Sequence, residues 1–156
     1  MRKGISESEH NNSMTDIMSK EQRSYRMSLV RCRDTAFERS FLRILSAELY
    51  PLGYRYRKHC RAVTGTPDVV FHRYRTAIFL DSDFWHGRNY DPRSSRMSPF
   101  WRSKIERNIA RDIQVNRTLR RDGWTVLRFG EKDLKRRPFL AVRKIQAAIA
   151  KRTLSD

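Results

Sequence analysis

Two aspartates and a histidine stand at intervals that suit metal-assisted chemistry on a phosphate. Asp68 follows Pro67 at the start of the apolar run Val69-Val70-Phe71, after the loop Thr64-Gly65-Thr66. Asp81 closes the next apolar run, Thr76 to Leu80, 13 residues further on, and His86 follows five residues later. The intervening His72-Arg73-Tyr74-Arg75 is short enough for a hairpin. Paired that way, Asp68 at the start of one strand lies near Asp81 at the end of the other. Two carboxylates converging at a sheet edge can hold a hard cation such as Mg²⁺ through oxygen ligands. Such a cation polarises a phosphate and makes water a better nucleophile. Histidine titrates close to neutral pH and suits proton transfer. Spacing alone leaves blander roles open: turn chemistry at strand ends for the aspartates, an interface contact for His86.

The elements that must position these residues are readable from periodicity. Thr35-Ala36-Phe37-Glu38 fits a capping box. Phe37, Phe41, Leu42, Leu45 and Leu49 then recur at helical spacing, and Pro51 and Gly53 end a helix expected over 35–50. Strands are expected over 54–59, 68–72 and 76–80, the last a continuous apolar run suited to a buried central strand. A polar stretch, 87–98, is punctuated by Asp91-Pro92 and Ser98-Pro99. A long helix is expected from Pro99 to Arg121, its buried stripe formed by Ile105, Ile109, Ile113 (or Asp112) and Leu119, with Gly123 as the stop. Trp124 to Phe129 reads as a strand. Leu134 and then Pro138 to Lys151 read as the last helix, with Leu140, Val142, Ile145 and Ile149 on one face. The order α-β-β-β-α-β-α gives an α/β fold, a mixed β-sheet flanked by α-helices.

Composition narrows the partner. The 156 residues suit one domain, expected over 21–156 behind a polar tail at 1–20, disordered or loosely docked. The formal net charge is +17. Self-repulsion of that size points to a polyanionic partner, with nucleic acid first and an anionic membrane surface second. No apolar run is long enough for a transmembrane helix, and the first 12 residues lack an apolar signal core. A cytoplasmic, nucleoid-associated protein is expected. Cys32 and Cys60 form no CxxC pair and read as free thiols.

Pro67-Asp68-Val69-Val70-Phe71 and Ile78-Phe79-Leu80-Asp81-Ser82-Asp83-Phe84-Trp85-His86-Gly87 resemble the very-short-patch mismatch-repair endonucleases (Vsr), of the restriction-endonuclease-like, PD-(D/E)xK superfamily. Asp34-Thr35 with Glu38 resembles that family's N-terminal signature. Phe100-Trp101, Lys104, Asn108, Arg111 and Asp112 resemble its long-helix signature, and Gly123-Trp124-Thr125-Val126 with Glu131 and Leu134 its C-terminal strand. Four modest motifs in order, over about residues 26 to 150, make the resemblance specific. It implies a restriction-endonuclease-like core and a Mg²⁺-dependent endonuclease that nicks duplex DNA, leaving a 5′-phosphate. It implies that Asp68 binds the metal with the backbone carbonyl of Leu80, that His86 is a general acid/base, and that Glu38 orders water from the first helix. Where Asp81 stands, the best-known relatives carry a histidine; here the carboxylate is expected to bind metal or to orient His86. Structural zinc positions of the relatives read Asp83, Arg88 and Lys132, among others, so no structural zinc is expected. An Asp83 salt bridge to a nearby arginine is one substitute for that staple.

In the relatives, aromatic residues at Phe84, Trp85 and Trp101 wedge between base pairs. An apolar ring that unstacks a step does so at lower cost where the step is mismatched. Lys104, Arg107 and Arg111 share a helical face and can track a phosphate backbone. Arg55, Arg57, Lys58 and Arg61 add charge near the first strand. The first expectation is strand-specific nicking at a T:G mismatch in very-short-patch repair, by a monomer working beside mismatch-repair or DNA methyltransferase systems. Competing readings are a restriction or homing-type nuclease on the same core, and a DNA-binding module without catalysis. The acids at Glu38, Asp68 and Asp81 argue against the last, because they repel phosphate unless a cation lies between.

Overall fold

Thr35 sits in extended backbone, and its hydroxyl accepts the Glu38 N–H at 3.4 Å, closing the first turn of helix α1 (Ala36–Leu49). The computed structural model describes residues 35–83 and 99–153, which belong to one compact unit. The expected tail at 1–20 lies outside these residues, as do Phe84, Trp85, His86 and Arg88. After α1 come strands β1 (Arg57–Lys58), β2 (Val69–Phe71) and β3 (Thr76–Asp81). Helix α2 (Pro99–Arg121), strand β4 (Thr125–Gly130), the short helix α3 (Glu131–Arg136) and helix α4 (Pro138–Thr153) complete the order.

The four strands form one sheet in the order β1-β2-β3-β4. The first three run antiparallel to their neighbours, whereas β3 and β4 are parallel, so the sheet is mixed. Register pairs Val69 with Ile78 and Phe71 with Thr76, which confirms the hairpin. Its connection is a single 3-10 turn, His72–Tyr74, followed by Arg75 in the left-handed region at φ 43°. All six residues of β3 are buried, as the continuous apolar run requires.

Successive side chains of a strand face opposite sides, and the core divides accordingly. Val69, Phe71, Ile78 and Leu80 pack with Phe41, Leu42, Leu45 and Leu49 of α1 and with Ala141, Val142, Ile145 and Ile149 of α4. Val70, Ala77 and Phe79 pack on the other face with Val63 and with Leu119 of α2. Each fully buried Leu, Ile or Phe contributes on the order of 2 kcal/mol of transfer free energy. Both faces of the central strands are therefore clamped, and the hairpin that carries Asp68 and Asp81 is fixed at the centre of the molecule.

Three expectations need correction. The run 54–59 yields only a two-residue strand, because its alternating residues are aromatic and basic and both strand residues are exposed at the sheet edge. Leu134 does not merge with the last helix but belongs to the separate turn α3; Pro138, lacking an N–H, starts α4 anew. On α2 the buried residues are Ile105 and Leu119, while Ile113 is 48% exposed and Asp112 turns inward toward β4.

Candidate active site

Asp68 enters its strand from a constrained loop. The Cys60 N–H donates to the Pro67 carbonyl and the His59 N–H to the Asp68 carbonyl, extending the β1–β2 ladder past its last paired residues. The Asp68 side chain then reaches across the hairpin. Its Oδ2 accepts the Leu80 N–H at 2.7 Å, and its Oδ1 lies 3.8 Å from His59 Nδ1. Burial pushes the Asp68 carboxyl up to about 6, against the pull of the Leu80 hydrogen bond; the charge of Glu38 raises it further, His59 lowers it, and Asp81 raises it.

Glu38 is delivered by the first turn of α1 and is only 3% exposed. Its Oε2 is buried without a hydrogen-bond partner among the described residues. An orphaned carboxylate oxygen costs free energy unless something positive or a proton donor meets it. Glu38, buried, and Asp68, partly buried, lie within electrostatic reach of each other, and Glu38 has an acceptor that no described residue fills.

The structure brings Asp81 close to Asp68 but gives it a partner that sequence reading missed. Arg128 of β4 donates from Nη1 to both Asp81 oxygens, at 3.0 and 3.1 Å. The same guanidinium donates from Nη2 to Asp112 at 3.1 Å and from Nε to Asn116 at 3.1 Å, both on α2. It also lies over the Phe79 ring, 4.3 Å from the centroid. Sequence offered one signal for this: a lone arginine within the run Thr125-Val126-Leu127-Arg128-Phe129. Its partners lie 47, 16 and 12 residues away, so only the parallel pairing of β3 with β4 and the packing of α2 identify them. His59, with φ 47°, is the other neighbour that the motifs did not indicate.

Among the described residues, Asp83 has no arginine partner. Its Oδ2 accepts the Lys132 backbone N–H at 3.1 Å, in the first turn of α3. Asp83 and Lys132, two of the positions where the sequence resemblance placed the zinc ligands, are thus joined by a hydrogen bond. Among the described residues, no three His, Cys, Asp or Glu side chains are grouped to hold a metal by themselves.

The sequence-derived DNA residues on α2 lie at its start and along one side. Trp101 packs edge-on to Phe100 at 5.0 Å, and Lys104 Nζ sits 5.4 Å from the Trp101 ring centroid. Arg107 and Arg111 are exposed. The aromatic pair and the histidine at 84–86 lie outside the described residues, so their distance from Asp68 is not part of this geometry. No helix among the described residues is long and apolar enough to cross a membrane.

Residues 15–92 match the family model described as DNA mismatch endonuclease Vsr. The chain is 45% identical over 112 residues to the type II nicking enzyme V.HpaIIP of Haemophilus parainfluenzae, covering 70% of this chain and 79% of that one. It is 35% identical over 137 residues to the type II nicking enzyme V.NmeDIP of Neisseria meningitidis serogroup C, covering 86% and 90%. Similarity to the DNA mismatch endonuclease Vsr of Escherichia coli K12 is 32% over 117 residues, covering 73% and 72%.

Proposed function

Because this chain belongs to the Vsr family of DNA mismatch endonucleases, and is therefore a DNA endonuclease, we propose that it nicks one strand of duplex DNA at a T:G mismatch with Mg²⁺ held by Asp68 and the Leu80 carbonyl. The observation that carries the metal reading is the pair of acids, Glu38 buried and Asp68 partly so. Asp68 is disfavoured as an anion where it stands, and Glu38 Oε2 lacks a partner. A cation between them and the DNA relieves both conditions. A strand residue directs its N–H and C=O to the same side. Since the Leu80 N–H meets Asp68, its carbonyl faces that side too. One carboxylate and one carbonyl are a small donor set, but Mg²⁺ commonly keeps several waters and takes the rest of its shell from substrate phosphate. The residues therefore fit the ion.

When bound, the cation supplies charge to stabilise the pentacovalent phosphate and lowers the pKa of nearby water. The protein's own residues do the remaining work. Asp68 is fixed by the Leu80 N–H on Oδ2, which leaves Oδ1 to hold the cation. Glu38 Oε2 accepts a hydrogen bond from the attacking water and orients it. His86 moves the proton, as base toward the water or acid toward the leaving 3′-oxygen. The P–O3′ bond breaks, and the 5′-phosphate remains. Asp81 acts here through its ion pair with Arg128 rather than as a ligand. Trp101, with Phe84 and Trp85, opens the base step. Lys104, Arg107 and Arg111 follow the backbone.

Mismatch specificity is supported by the family's description and by the E. coli relative's name, both of which are those of a DNA mismatch endonuclease. Deamination of 5-methylcytosine opposite guanine leaves a T:G pair, so this reading carries with it a DNA cytosine methyltransferase as the source of substrate. The test uses supercoiled plasmid and defined duplexes, matched or bearing one T:G mismatch, with Mg²⁺, comparing wild type with Asp68→Ala. Nicking confined to the mismatched duplex and absent in the variant is expected. Equal nicking of both duplexes would replace repair by a restriction or homing-type role. Cleavage that persists in Asp68→Ala would remove the mechanism.

A further inference from the structure

Cys60 and His72 form a pair that the nicking chemistry does not use. Cys60 stands just beyond β1, where its N–H donates to the Pro67 carbonyl and its carbonyl accepts the Val63 N–H. His72 opens the 3-10 turn between β2 and β3. The fold brings Cys60 Sγ to 3.4 Å from His72 Nε2. That is hydrogen-bond reach for a large sulfur, and a thiol S–H is a donor that a ring nitrogen can accept. Packing holds both members. Cys60 and Trp124 rest against the buried cluster Val63, Val70, Ala77, Phe79 and Leu119. The His72 ring meets Trp124 edge-on at 5.9 Å between centroids, and the Arg75 guanidinium lies over the same indole at 5.7 Å. Cys60 is a free, half-buried thiol and His72 is exposed, so the pair lies at the surface.

A nucleophile within reach of a base that a third group orients is the arrangement of an activated nucleophile. A cysteine that only fills space is inert in apolar surroundings, whereas a reactive one sits partly exposed beside positive or basic groups. We propose that Cys60 is a site of reversible covalent modification by small disulfides, with His72 as the base that takes the thiol proton. As Sγ attacks one sulfur of the disulfide, its proton passes to Nε2 and the disulfide's own S–S bond breaks. The departing thiolate takes the proton from the imidazolium and leaves as a thiol. One thiol and one disulfide enter, one mixed disulfide and one thiol leave, and no further oxidant is needed. Imidazole suits this shuttle because it exchanges a proton near neutral pH. Charge favours the developing thiolate: Arg61 follows Cys60, Arg73 follows His72, and the chain carries +17.

Oxidised glutathione is the probe, and the intact mass of the protein over time is the readout. Cys32→Ser leaves Cys60 as the one thiol of the full chain. That protein is expected to gain a single glutathione adduct roughly tenfold faster when native than when unfolded in urea at the same pH. His72→Phe, added to it, keeps a ring beside Trp124 but has no base, and is expected to slow the native reaction by about fivefold or more. His72→Gln carries the same expectation and serves where a thermal melt shows that His72→Phe does not fold. A thiol that is merely exposed would react at the unfolded rate and be indifferent to His72. A native rate no greater than the unfolded one, or a rate that the folded His72 variant leaves unchanged, would overturn the proposal.

Discussion

At Asp68 the fold opposes the charge that the chemistry needs. Its carboxyl, 3.8 in the unfolded chain, is pushed up to about 6 by burial and by the neighbouring acids. The native state therefore binds this proton more tightly than the unfolded state does. Stability from this group is greatest below about pH 4, falls as pH rises toward 6, and is lowest above it, a swing on the order of 3 kcal/mol. Asp68→Asn keeps an oxygen for the Leu80 N–H but has no charge to desolvate. The metal-free variant is expected to be more stable than wild type at pH 7.5, with the difference vanishing toward pH 4, while nicking is lost. Urea denaturation across that range checks it, and parallel curves would contradict the burial argument. Cation binding should likewise weaken as pH falls through about 6, because the ligand must first lose its proton. The place of Asp68 across the hairpin from Leu80 was legible from Pro67-Asp68 and the hairpin spacing. Its raised pKa was not, since it depends first on burial by the elements packed around it and then on α1 bringing Glu38 across from 30 residues away.

Elements hold these residues through a few contacts that can be tested singly. The loop before β2 passes so close to α2 that a Cβ on Gly65 would lie 2.4 Å from Val115 Cγ1 and 3.1 Å from Cγ2. Gly65 also has φ +79°, where side chains are strained. Gly65→Ala is expected to cost about 2–4 kcal/mol, combining left-handed strain with overpacking. Nicking should fall more than stability alone explains, because the same loop aims Asp68; a thermal melt and a nicking rate at a temperature where the variant is fully folded separate the two. On the far side of the sheet, Asp83 accepts the Lys132 N–H at the start of α3. Asp83→Ala removes a carboxylate acceptor from an exposed helix start and is expected to cost about 1 kcal/mol. The helices were legible because their apolar stripes repeat every three or four residues. Long-range pairing was less so: β1 shrank to two residues because no pattern in Tyr54 to His59 specified a buried face, and Asp112 took the inward position beside Ile113 because Arg128 stood across from it.

For the whole molecule, a charge of +17 must be reconciled with a proposed active site built from acids. The two are separate in the fold. Glu38, Asp68 and Asp81 are buried or nearly so around the hairpin, whereas Arg107 and Arg111 of α2 are exposed. Long-range attraction for DNA is thus set by the surface, and the buried acids act only at contact. Composition made the polyanionic partner legible. It could not say which cations meet phosphate, and the structure narrows that by turning some inward: Arg128 is spent on Asp81, Asp112 and Asn116, and Arg152 donates to Thr125. The consequence is a numerical one. Each phosphate neutralised contributes about −0.9 to the slope of log affinity against log salt. Arg107→Ala/Arg111→Ala should therefore shallow that slope by about 2 on a matched duplex, weakening binding most at low salt. Mismatch preference should hardly change, since phosphate contacts position the protein without reading bases. Fluorescence anisotropy of matched and T:G duplexes across a salt series gives both quantities. An unchanged slope would mean that this side of α2 faces solvent rather than DNA, and that the charge which draws the substrate lies elsewhere on the surface.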